Sequence, residues 1–524
     1  MNDTSPGPLR PTHVVARTLG EVFAGTDVRL PMDAEGVLVS GIQLDSRTVG
    51  AGELYVALPG TRTHGASFAA AAAGRGAVAV LTDATGAELA AGADLPVCES
   101  SDPRRDMALA ASTIFGSPTH ELLMLGLTGT NGKTTTAFLL EAGLTAAGMH
   151  VGSIGTIGFR LDGVDLASSR TTITTPESPD LQALMAVMLE RGATAIAMEV
   201  SSHALALQRV DGVGFDVAGF TNLGRDHLDF HPTMEHYFET KATLFEPHRC
   251  RVAIVNIDDE HGAILASRIV ERGAPRLVTT GFNADADYRI VEWTTAPGGG
   301  SLVKVEAPEG PVDLALDLPG EFNVRNGVTA LAMLDAAGVD RASAFAGLAH
   351  AQVPGRMERV DLGRGAPTVF VDFAHTPQAI ESALAAIRAP RVIAVLGAGG
   401  DRDAEKRPEM GAAAVSGADV VIVTDDNPRS EDPAAIRGAV VRGALDAVAG
   451  AATGSRASRV EVVEQPGRLQ AIERALRLAG PDDTVALLGK GHEHGQEVSG
   501  QVLEFDDVDV ARARWAVVHR VVED

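Results

Sequence analysis

Short apolar runs alternate with Ala-rich, helix-compatible stretches along almost the whole chain. Strand-like runs occupy residues 77–81, 122–127, 195–200, 252–256, 368–371, 392–396, 420–424 and 485–488. This alternation is the pattern of βαβ units and of mainly parallel sheets. Several runs end directly in a polar or Gly-rich motif, and α/β proteins bind ligands at the carboxyl ends of their strands. Residues 302–306 and 312–318 alternate like strands, and the Gly/Pro stretch 296–301 beside them predicts a hairpin-type loop. No internal repeat is evident.

At about 150 residues per domain, the 524-residue chain predicts three domains. A Pro-containing link near 117–121 and a Val-Pro-Gly turn in 352–355 divide it into blocks 1–120, 121–353 and 354–524. Hydrophobic residues at 45%, with 57 Gly and only 4% aromatics, favour a folded α/β protein over a disordered chain. The excess of 69 Asp+Glu over 44 Lys+Arg argues against general affinity for nucleic acid or an anionic membrane. An anionic substrate therefore needs local help from magnesium, a phosphate-binding loop and a few placed arginines. Cys98 and Cys250 lie far apart without metal-ligand spacing; two reduced structural thiols are expected, with one disulfide as the alternative. The N-terminal stretch has no apolar signal-peptide core, and no segment approaches ~18 uninterrupted apolar residues. A cytoplasmic protein with a loose tail through Thr12 is expected.

The run 122–127 leads into Thr128, Gly129, Thr130, Asn131, Gly132, Lys133, Thr134 and Thr135, and then into a helical stretch, 136–147. Strand, glycine loop and helix in that order form the layout of a P-loop. Gly129 and Gly132 let backbone N–H groups approach phosphate oxygens, and the helix start supplies partial positive charge. Lys133 can neutralise the β- and γ-phosphates, and the Thr134 hydroxyl can ligate magnesium. Leu127 stands where the usual pattern has its first glycine, so this is a variant loop. A Gly-rich turn beside a solvated lysine is the plainer alternative. No guanine-reading Asn-Lys-x-Asp stretch is evident, which favours ATP over GTP.

The TGTNGKTT loop resembles that of the Mur ligase family, and further motifs agree in order across nearly the whole chain. They are LDSR at 44–47, MEVSSHAL at 198–205, TNLGRDHLDFH at 221–231, LPGEFNVRN at 318–326, VPGRMERV at 353–360, DFAHTP at 372–377, GAGGDRDAEKRPEM at 397–410, DNPR at 426–429 and GKGHE at 489–493. The resemblance implies an N-terminal UDP-binding α/β domain, a central P-loop domain with a parallel sheet, and a C-terminal Rossmann-like domain. It also implies an ATP-dependent ligase that couples meso-diaminopimelate to a UDP-linked muramoyl dipeptide in peptidoglycan precursor synthesis, with Mg2+ as cofactor. In that reaction ATP phosphorylates a carboxylate, the amine attacks the acyl phosphate, and phosphate leaves. The order is chemically sensible because a carboxylate is a poor electrophile and its mixed anhydride is a good one.

Site roles follow from the same resemblance. Gly129, Thr130, Asn131, Gly132, Lys133, Thr134 and Thr135 would hold ATP, with Asn323, Arg356, Asp372 and His375 lining the nucleotide. Asn323 could instead cap a helix beginning near Val324, and Asp372 could merely end a strand. Glu199 and His227 would hold magnesium with Thr134; on its own, His227 could be a locally bonded loop histidine. On its own, Lys241 could be a solvated lysine on an amphipathic helix. The resemblance instead implies a lysine carbamylated by carbon dioxide, an anion able to hold magnesium. Carbamylation needs the neutral amine, hence burial or nearby cations. Lys133, Lys241, His227 and Glu199 form the expected catalytic set.

Leu44 and Ser46, with the loop 60–64, would lie near the uridine diphosphate, although Ser46 and Arg47 could equally cap and pair within a turn. Thr174, Thr175, Ser201 and Arg209 would hold the muramoyl dipeptide. Leu207 stands where some relatives carry a substrate-touching glutamine. The amino acid would lie against Arg402, Asp426, Asn427, Pro428, Arg429, Gly489 and Glu493. Meso-diaminopimelate differs from lysine by a second carboxylate, which a guanidinium can clamp with two parallel hydrogen bonds. Arg429 is the expected clamp and Asn427 the expected reader of the adjacent ammonium. Strong rejection of lysine is expected, because it would leave Arg429 buried and unpaired. The structural alternative for 426–429 is an Asx-Pro turn closing a strand. Rival functions are the same ligase using L-lysine, a folylpolyglutamate synthetase-like ligase, and a P-loop switch that forms no amide. A monomer is expected.

Overall fold

The computed structural model describes residues 9–166, 174–296 and 299–523. Residues 1–8 of the expected tail and Pro297-Gly298 of the expected hairpin loop lie outside the described residues. The described end of the tail is held rather than loose. Arg10 pairs with Asp180 at 2.9 Å, and Thr12 and His13 donate their N–H groups to Glu190, each at 2.9 Å.

The chain divides into two compact units. The first comprises Met1–Val291, Lys304–Asp313 and Arg325–Ala349; the second comprises Glu292–Val303, Leu314–Val324 and His350–Asp524.

The first unit opens with a parallel sheet in the order Gly41–Gln43, Glu53–Ala57, Ala79–Thr82, Val97–Glu99. Leu54 and Val56 point into one apolar cluster with Met107 and Ile114, whereas Tyr55 and Ala57 point into another with Ala69 and Ala72. Both faces are covered, which explains why these strands carry continuous apolar runs. A larger sheet follows, in which Val151–Gly155, Ala195–Glu199, Leu123–Thr128, Phe215–Phe220, Cys250–Asn256, Arg276–Gly281 and Tyr288–Thr295 run parallel in that order. Gly158–Leu161 and Val164–Asp165 extend one edge antiparallel, and Ser301–Ala307 and Gly310–Leu316 follow at the other. The last two strands show the alternating burial expected of half-buried strands.

The second unit is built on a sheet in the order Glu358–Val360, Thr368–Asp372, Thr484–Leu488, Val392–Leu396, Val420–Val423, Glu461–Glu464, parallel except for the first strand. Alternate residues feed opposite cores. Ala394 and Leu396 meet Ile380, Met410 and Val440 of three helices, while Ile393 and Val395 meet Ile472, Leu476 and Ala511 of two others. Helices on both faces of a parallel sheet make this a doubly wound, Rossmann-like fold. Cys98 and Cys250 are buried free thiols. No helix among the described residues is long and apolar enough to cross a membrane.

Candidate active site

Three adjacent strands of the first unit end at one level, because Glu199 is in register with Leu127, and Phe220 with Thr128. The segments that follow them emerge side by side. Gly129 sits at φ +144°, and a Cβ there would lie 1.9 Å from Thr221 Oγ1; Gly132 sits at φ +88°, with its Cβ position 2.4 Å from Asn326 Oδ1. Only glycine fits either position without displacing a neighbour. The loop is stitched to the segment after Phe220. Thr221 Oγ1 donates to Asn131 O at 2.6 Å, Asn131 N–H donates to Asn222 Oδ1 at 3.0 Å, and Gly224 N–H donates to Thr130 Oγ1 at 2.9 Å. The helix Lys133–Ala146 then begins without a side-chain cap, so its first N–H groups are not taken by a capping side chain.

Two lysines converge on one carbonyl in this loop. Lys133 Nζ donates to Gly129 O at 2.9 Å and to Thr130 O at 3.0 Å, and Lys241 Nζ donates to the same Gly129 O at 2.7 Å. Lys241 is on the helix Met234–Ala242 but is only 1% exposed, which rules out the solvated alternative. Its Nζ lies 4.6 Å from the Tyr237 ring centroid. Burial first, and then the Lys133 charge, hold its pKa well below the ordinary lysine value.

His227 adopts φ +54° and packs its ring edge-on to His203, with centroids 4.9 Å apart. Burial, with help from Lys133 and Lys241, lowers its pKa against the opposing charge of Asp226, which favours the neutral imidazole. Deeper in, His231 has no exposed surface; its Nε2 is 2.9 Å from Ser202 Oγ and its Nδ1 is 3.1 Å from His236 Nδ1. Burial, followed by His236 and His203, pushes its pKa down to about 4. His203 and His231 lie inside the quoted motifs 198–205 and 221–231, but no local signal sets them or His236 apart as site residues.

Glu199 is buried and accepts hydrogen bonds from the Thr156 N–H at 2.8 Å and the Thr156 hydroxyl at 3.0 Å. The four residues expected at the dipeptide gather around it. Thr174 Oγ1 is 3.2 Å from Thr156 Oγ1, Thr175 Oγ1 donates to Glu199 O at 2.9 Å, and Ser201 N–H donates to Thr175 Oγ1 at 3.2 Å. Arg209 donates to Thr175 O at 3.1 Å and pairs with Glu177 at 2.8 Å; Arg104 pairs with the same carboxylate at 3.2 Å. Thr156, Glu177 and Arg104 were not foreseen. Gln208, next to Leu207, turns its amide toward Asp102 at 2.8 Å.

In the N-terminal sheet, the Tyr55 hydroxyl donates to Gly65 O at 2.8 Å, just past the loop 60–64 expected near the uridine diphosphate. His64 Nδ1 accepts from Ala66 N–H at 3.1 Å, and His64 Nε2 lies 3.1 Å from Asp83. Leu44 N–H donates to Gln43 Oε1 at 3.2 Å, and Arg47 forks onto Asp45, the within-turn pairing that was the alternative.

In the second unit, Leu396, Leu488 and Asp372 are level across neighbouring strands. Asp372 ends its strand and accepts from Met357 N–H at 2.7 Å and Ala374 N–H at 2.8 Å. Burial raises its pKa against the nearby Arg356 charge. The Arg356 guanidinium lies 4.6 Å over the Phe373 ring, and His375 Nδ1 is 2.8 Å from Phe373 O. Asn323 does not cap a helix starting near Val324. That helix spans Glu321–Ala336, because Asn323 and Val324 N–H groups both donate to Gly320 O, and the Asn323 amide donates to Pro319 O at 2.8 Å.

Three of the residues expected at the amino acid, Asp426, Asn427 and Glu493, meet around Lys490, which is fully buried and carried no expected role. Lys490 Nζ donates to Asn427 Oδ1 at 3.2 Å and to Glu493 at 3.3 Å, with Asp426 at 3.9 Å. Asn427 Nδ2 donates to Glu493 at 2.7 Å and its Oδ1 also accepts from Glu497 N–H at 3.0 Å, so both ends of the amide are engaged. Gly489 sits at φ +113°, where a Cβ would lie 2.7 Å from Asp426 Oδ2. Gly400 packs so closely that a Cβ would lie 2.0 Å from Pro428 O, and Arg402 in the same loop is exposed. Arg429, at φ +52°, donates Nη1 to Gly400 O at 2.7 Å and is ion-paired with Glu497 at 3.2 Å. Without a bound amino acid, the Arg429 guanidinium is therefore partnered by a carboxylate of this chain, Glu497.

Among the described residues, no three His, Cys, Asp or Glu side chains gather as a metal cage. The oxygen donors expected at the metal, Glu199 and the Thr134 hydroxyl, are of the type that suits a hard cation. Lys241 would join them only as a carbamate.

Comparison with known proteins settles the family. The Mur ligase family catalytic domain matches residues 38–113, the Mur ligase middle domain 127–334, and the Mur ligase glutamate ligase domain 355–491. A UDP-N-acetylmuramoyl-L-alanyl-D-glutamate--2,6-diaminopimelate ligase from Streptomyces avermitilis is 47% identical over 97% of this chain and 98% of its own. The chain belongs to the Mur ligase family. A Mur ligase of the same name from Corynebacterium glutamicum is 44% identical over 95% of this chain and 96% of its own. A solved structure of a UDP-N-acetylmuramoyl-L-alanyl-D-glutamate--2,6-diaminopimelate ligase has a TM-score of 0.70 at 30% identity, covering 96% of this chain and all of that one. The E. coli FolC complex with DHPP and ADP shares the fold at a TM-score of 0.56 and 23% identity, over 78% of this chain and 92% of its own.

Proposed function

We propose that this Mur ligase joins meso-2,6-diaminopimelate to UDP-N-acetylmuramoyl-L-alanyl-D-glutamate, converting ATP to ADP and phosphate. The observation that carries this reading is the 47% identity, over nearly the full length of both chains, to a diaminopimelate ligase. The folylpolyglutamate-type reading has weaker support, since the FolC likeness covers 78% of the chain at 23% identity.

The three blocks 1–120, 121–353 and 354–524 would act as UDP-binding, ATP-binding and amino-acid-binding domains in a cytoplasmic monomer. Ser46 and Leu44 would meet the uridine diphosphate, and Thr174, Thr175, Ser201 and Arg209 the dipeptide. Arg209 is fixed by Glu177, so its position does not depend on substrate. The loop N–H groups of 129–135 and Lys133 would hold the ATP phosphates, with Asn323, Arg356 and Asp372 on the nucleotide. Lys133 donates to loop carbonyls in the structure, and phosphate oxygens would compete for the same ammonium.

Burial and the neighbouring Lys133 charge both lower the Lys241 pKa, which supports the neutral amine that carbamylation needs. As a carbamate it would stand with Glu199, His227 and Thr134 as a magnesium ligand. Magnesium, when bound, supplies charge neutralisation where two anions must approach. Carboxylate attack on the γ-phosphate then gives an acyl phosphate, and amine attack expels phosphate. Arg429 would clamp the distal carboxylate of diaminopimelate. The carboxylates of Asp426 and Glu493, close to Lys490, suit its ammonium groups, with Arg402 and Gly489 completing the wall.

Phosphate release by purified protein with ATP, Mg2+ and the UDP-dipeptide tests this reading. Release that depends on diaminopimelate supports it, and release without any amino acid returns the protein to the switch reading.

A further inference from the structure

The Arg429 guanidinium, which on the reading above clamps the distal carboxylate of the substrate, already faces a carboxylate of this chain. Glu497 lies on the hairpin strand Gly495–Val498, paired antiparallel with Gln501–Glu504. That hairpin is locked to the 426–429 segment by its backbone and one amide. Arg429 N–H donates to Glu497 O at 3.0 Å, Ser499 N–H to Arg429 O at 2.8 Å, Glu497 N–H to Asn427 Oδ1 at 3.0 Å, and Gln496 Nε2 to Asp426 O at 2.5 Å. Neither the Glu497 Cα nor the Arg429 Cα can drift from the other. The side-chain pairing itself is looser. Glu497 Oε2 is 3.2 Å from Arg429 Nε, and the glutamate side chain is 42% exposed against 22% for the arginine.

We propose that Glu497 is a specificity-determining residue, a resident stand-in for the second carboxylate of the diamino acid that holds Arg429 until the substrate carboxylate displaces it. The exchange is like for like. Diaminopimelate replaces one carboxylate on the guanidinium with another, and Glu497 swings into solvent while every backbone bond of the hairpin persists. Arg429 keeps its orientation throughout, because Nη1 stays on Gly400 O. L-lysine has no second carboxylate, so it binds with the Arg429–Glu497 pair intact. Glu497 therefore lowers the selectivity for diaminopimelate in two ways. It competes with the correct substrate, and it spares the wrong one the cost of a buried, partnerless guanidinium.

A part-exposed ion pair is weak, so the competition is worth about two- to fivefold in apparent affinity. Glu497→Gln keeps the shape and all four hairpin bonds while removing the charge. The test is steady-state phosphate release with ATP, Mg2+ and UDP-dipeptide, titrating diaminopimelate and lysine separately for wild type, E497Q, E497D and R429A. The expected result is that E497Q lowers KM for diaminopimelate about two- to fivefold and raises the diaminopimelate-to-lysine ratio of kcat/KM by a similar factor, while E497D stays near wild type. An unchanged or higher KM in E497Q, with R429A impaired for diaminopimelate, overturns the role of Glu497 and leaves the clamp standing. An R429A enzyme with wild-type KM and selectivity overturns both.

Discussion

The pair Arg468–Asp507 offers a sharp quantitative test of how the second unit is held together. Both side chains are fully buried, with Arg468 Nε donating to Asp507 Oδ1 at 2.7 Å and Nη2 to Oδ2 at 2.5 Å. Nη2 also donates to Leu488 O at 3.1 Å, one residue before Gly489. Asp507 begins the helix Asp507–Glu523 and Arg468 begins the helix Arg468–Leu478, so the ion pair joins two helices, and the bond to Leu488 O ties them to the strand that delivers GKGHE. Asp507→Asn preserves volume but leaves a buried guanidinium without its counter-charge. Breaking a buried pair in this way costs about 3–5 kcal/mol. A domain of roughly 150–250 residues loses about 2–4 °C per kcal/mol, so its midpoint should fall by roughly 6–20 °C. Arg468 Nη1 has no hydrogen-bond partner among the described residues, so the pair is incompletely compensated even in wild type. The double variant Arg468→Met/Asp507→Leu should therefore recover most of the loss. Calorimetry of the full-length chain reads both variants. D507N within about 1 kcal/mol of wild type, or a double variant no better than D507N, would refute the reasoning.

Gly129→Ala should abolish ATP-dependent phosphate release while leaving UDP-substrate binding intact, because its Cβ would lie 1.9 Å from Thr221 Oγ1 at a φ of +144°; retained turnover would count against the phosphate-loop assignment. Lys241 has its pKa depressed well below 10.5, so its amine is neutral at pH values where a free lysine is charged. A carbamate signal from 13C-bicarbonate should therefore be present in wild type, absent in Lys241→Ala, and lost on acidification as the amine protonates; a signal that survives Lys241→Ala contradicts the assignment. The same depression means that the unfolded chain binds the extra proton between the depressed value and 10.5, so Lys241 makes stability rise with pH across that window. Arg429→Ala should raise KM for diaminopimelate at least tenfold, roughly the loss of one charge-assisted hydrogen bond.

The strand framework was legible because buried parallel strands announce themselves as continuous apolar runs. Val392–Leu396 and Thr368–Asp372 fall within a residue of their expected limits. What the runs could not show is which segments meet. Lys241 lies 112 positions from Gly129 and sits in a sequence that reads as a helix surface. Its burial goes with a long-range contact, the approach of its ammonium to the Gly129 carbonyl. Lys490 was passed over inside a recognised motif, since nothing local distinguishes a buried lysine from an exposed one. Glu497 and Gln496 lie beyond that motif, and their partnership with 426–429 depends on the register of a short hairpin. The Glu321–Ala336 helix begins before Asn323, with the Gly320 carbonyl accepting from the Asn323 and Val324 N–H groups in its first turn, a contact that no local sequence signal marks.

The most direct test of the central claim is the mass of the product formed when purified protein, ATP, Mg2+ and UDP-N-acetylmuramoyl-L-alanyl-D-glutamate are given equal amounts of meso-diaminopimelate and L-lysine. The expected product is heavier than the UDP-dipeptide by one diaminopimelate less one water, with the lysine adduct a minor species. A predominant lysine adduct would contradict the assigned specificity, and an unmodified UDP-dipeptide would contradict the ligase itself.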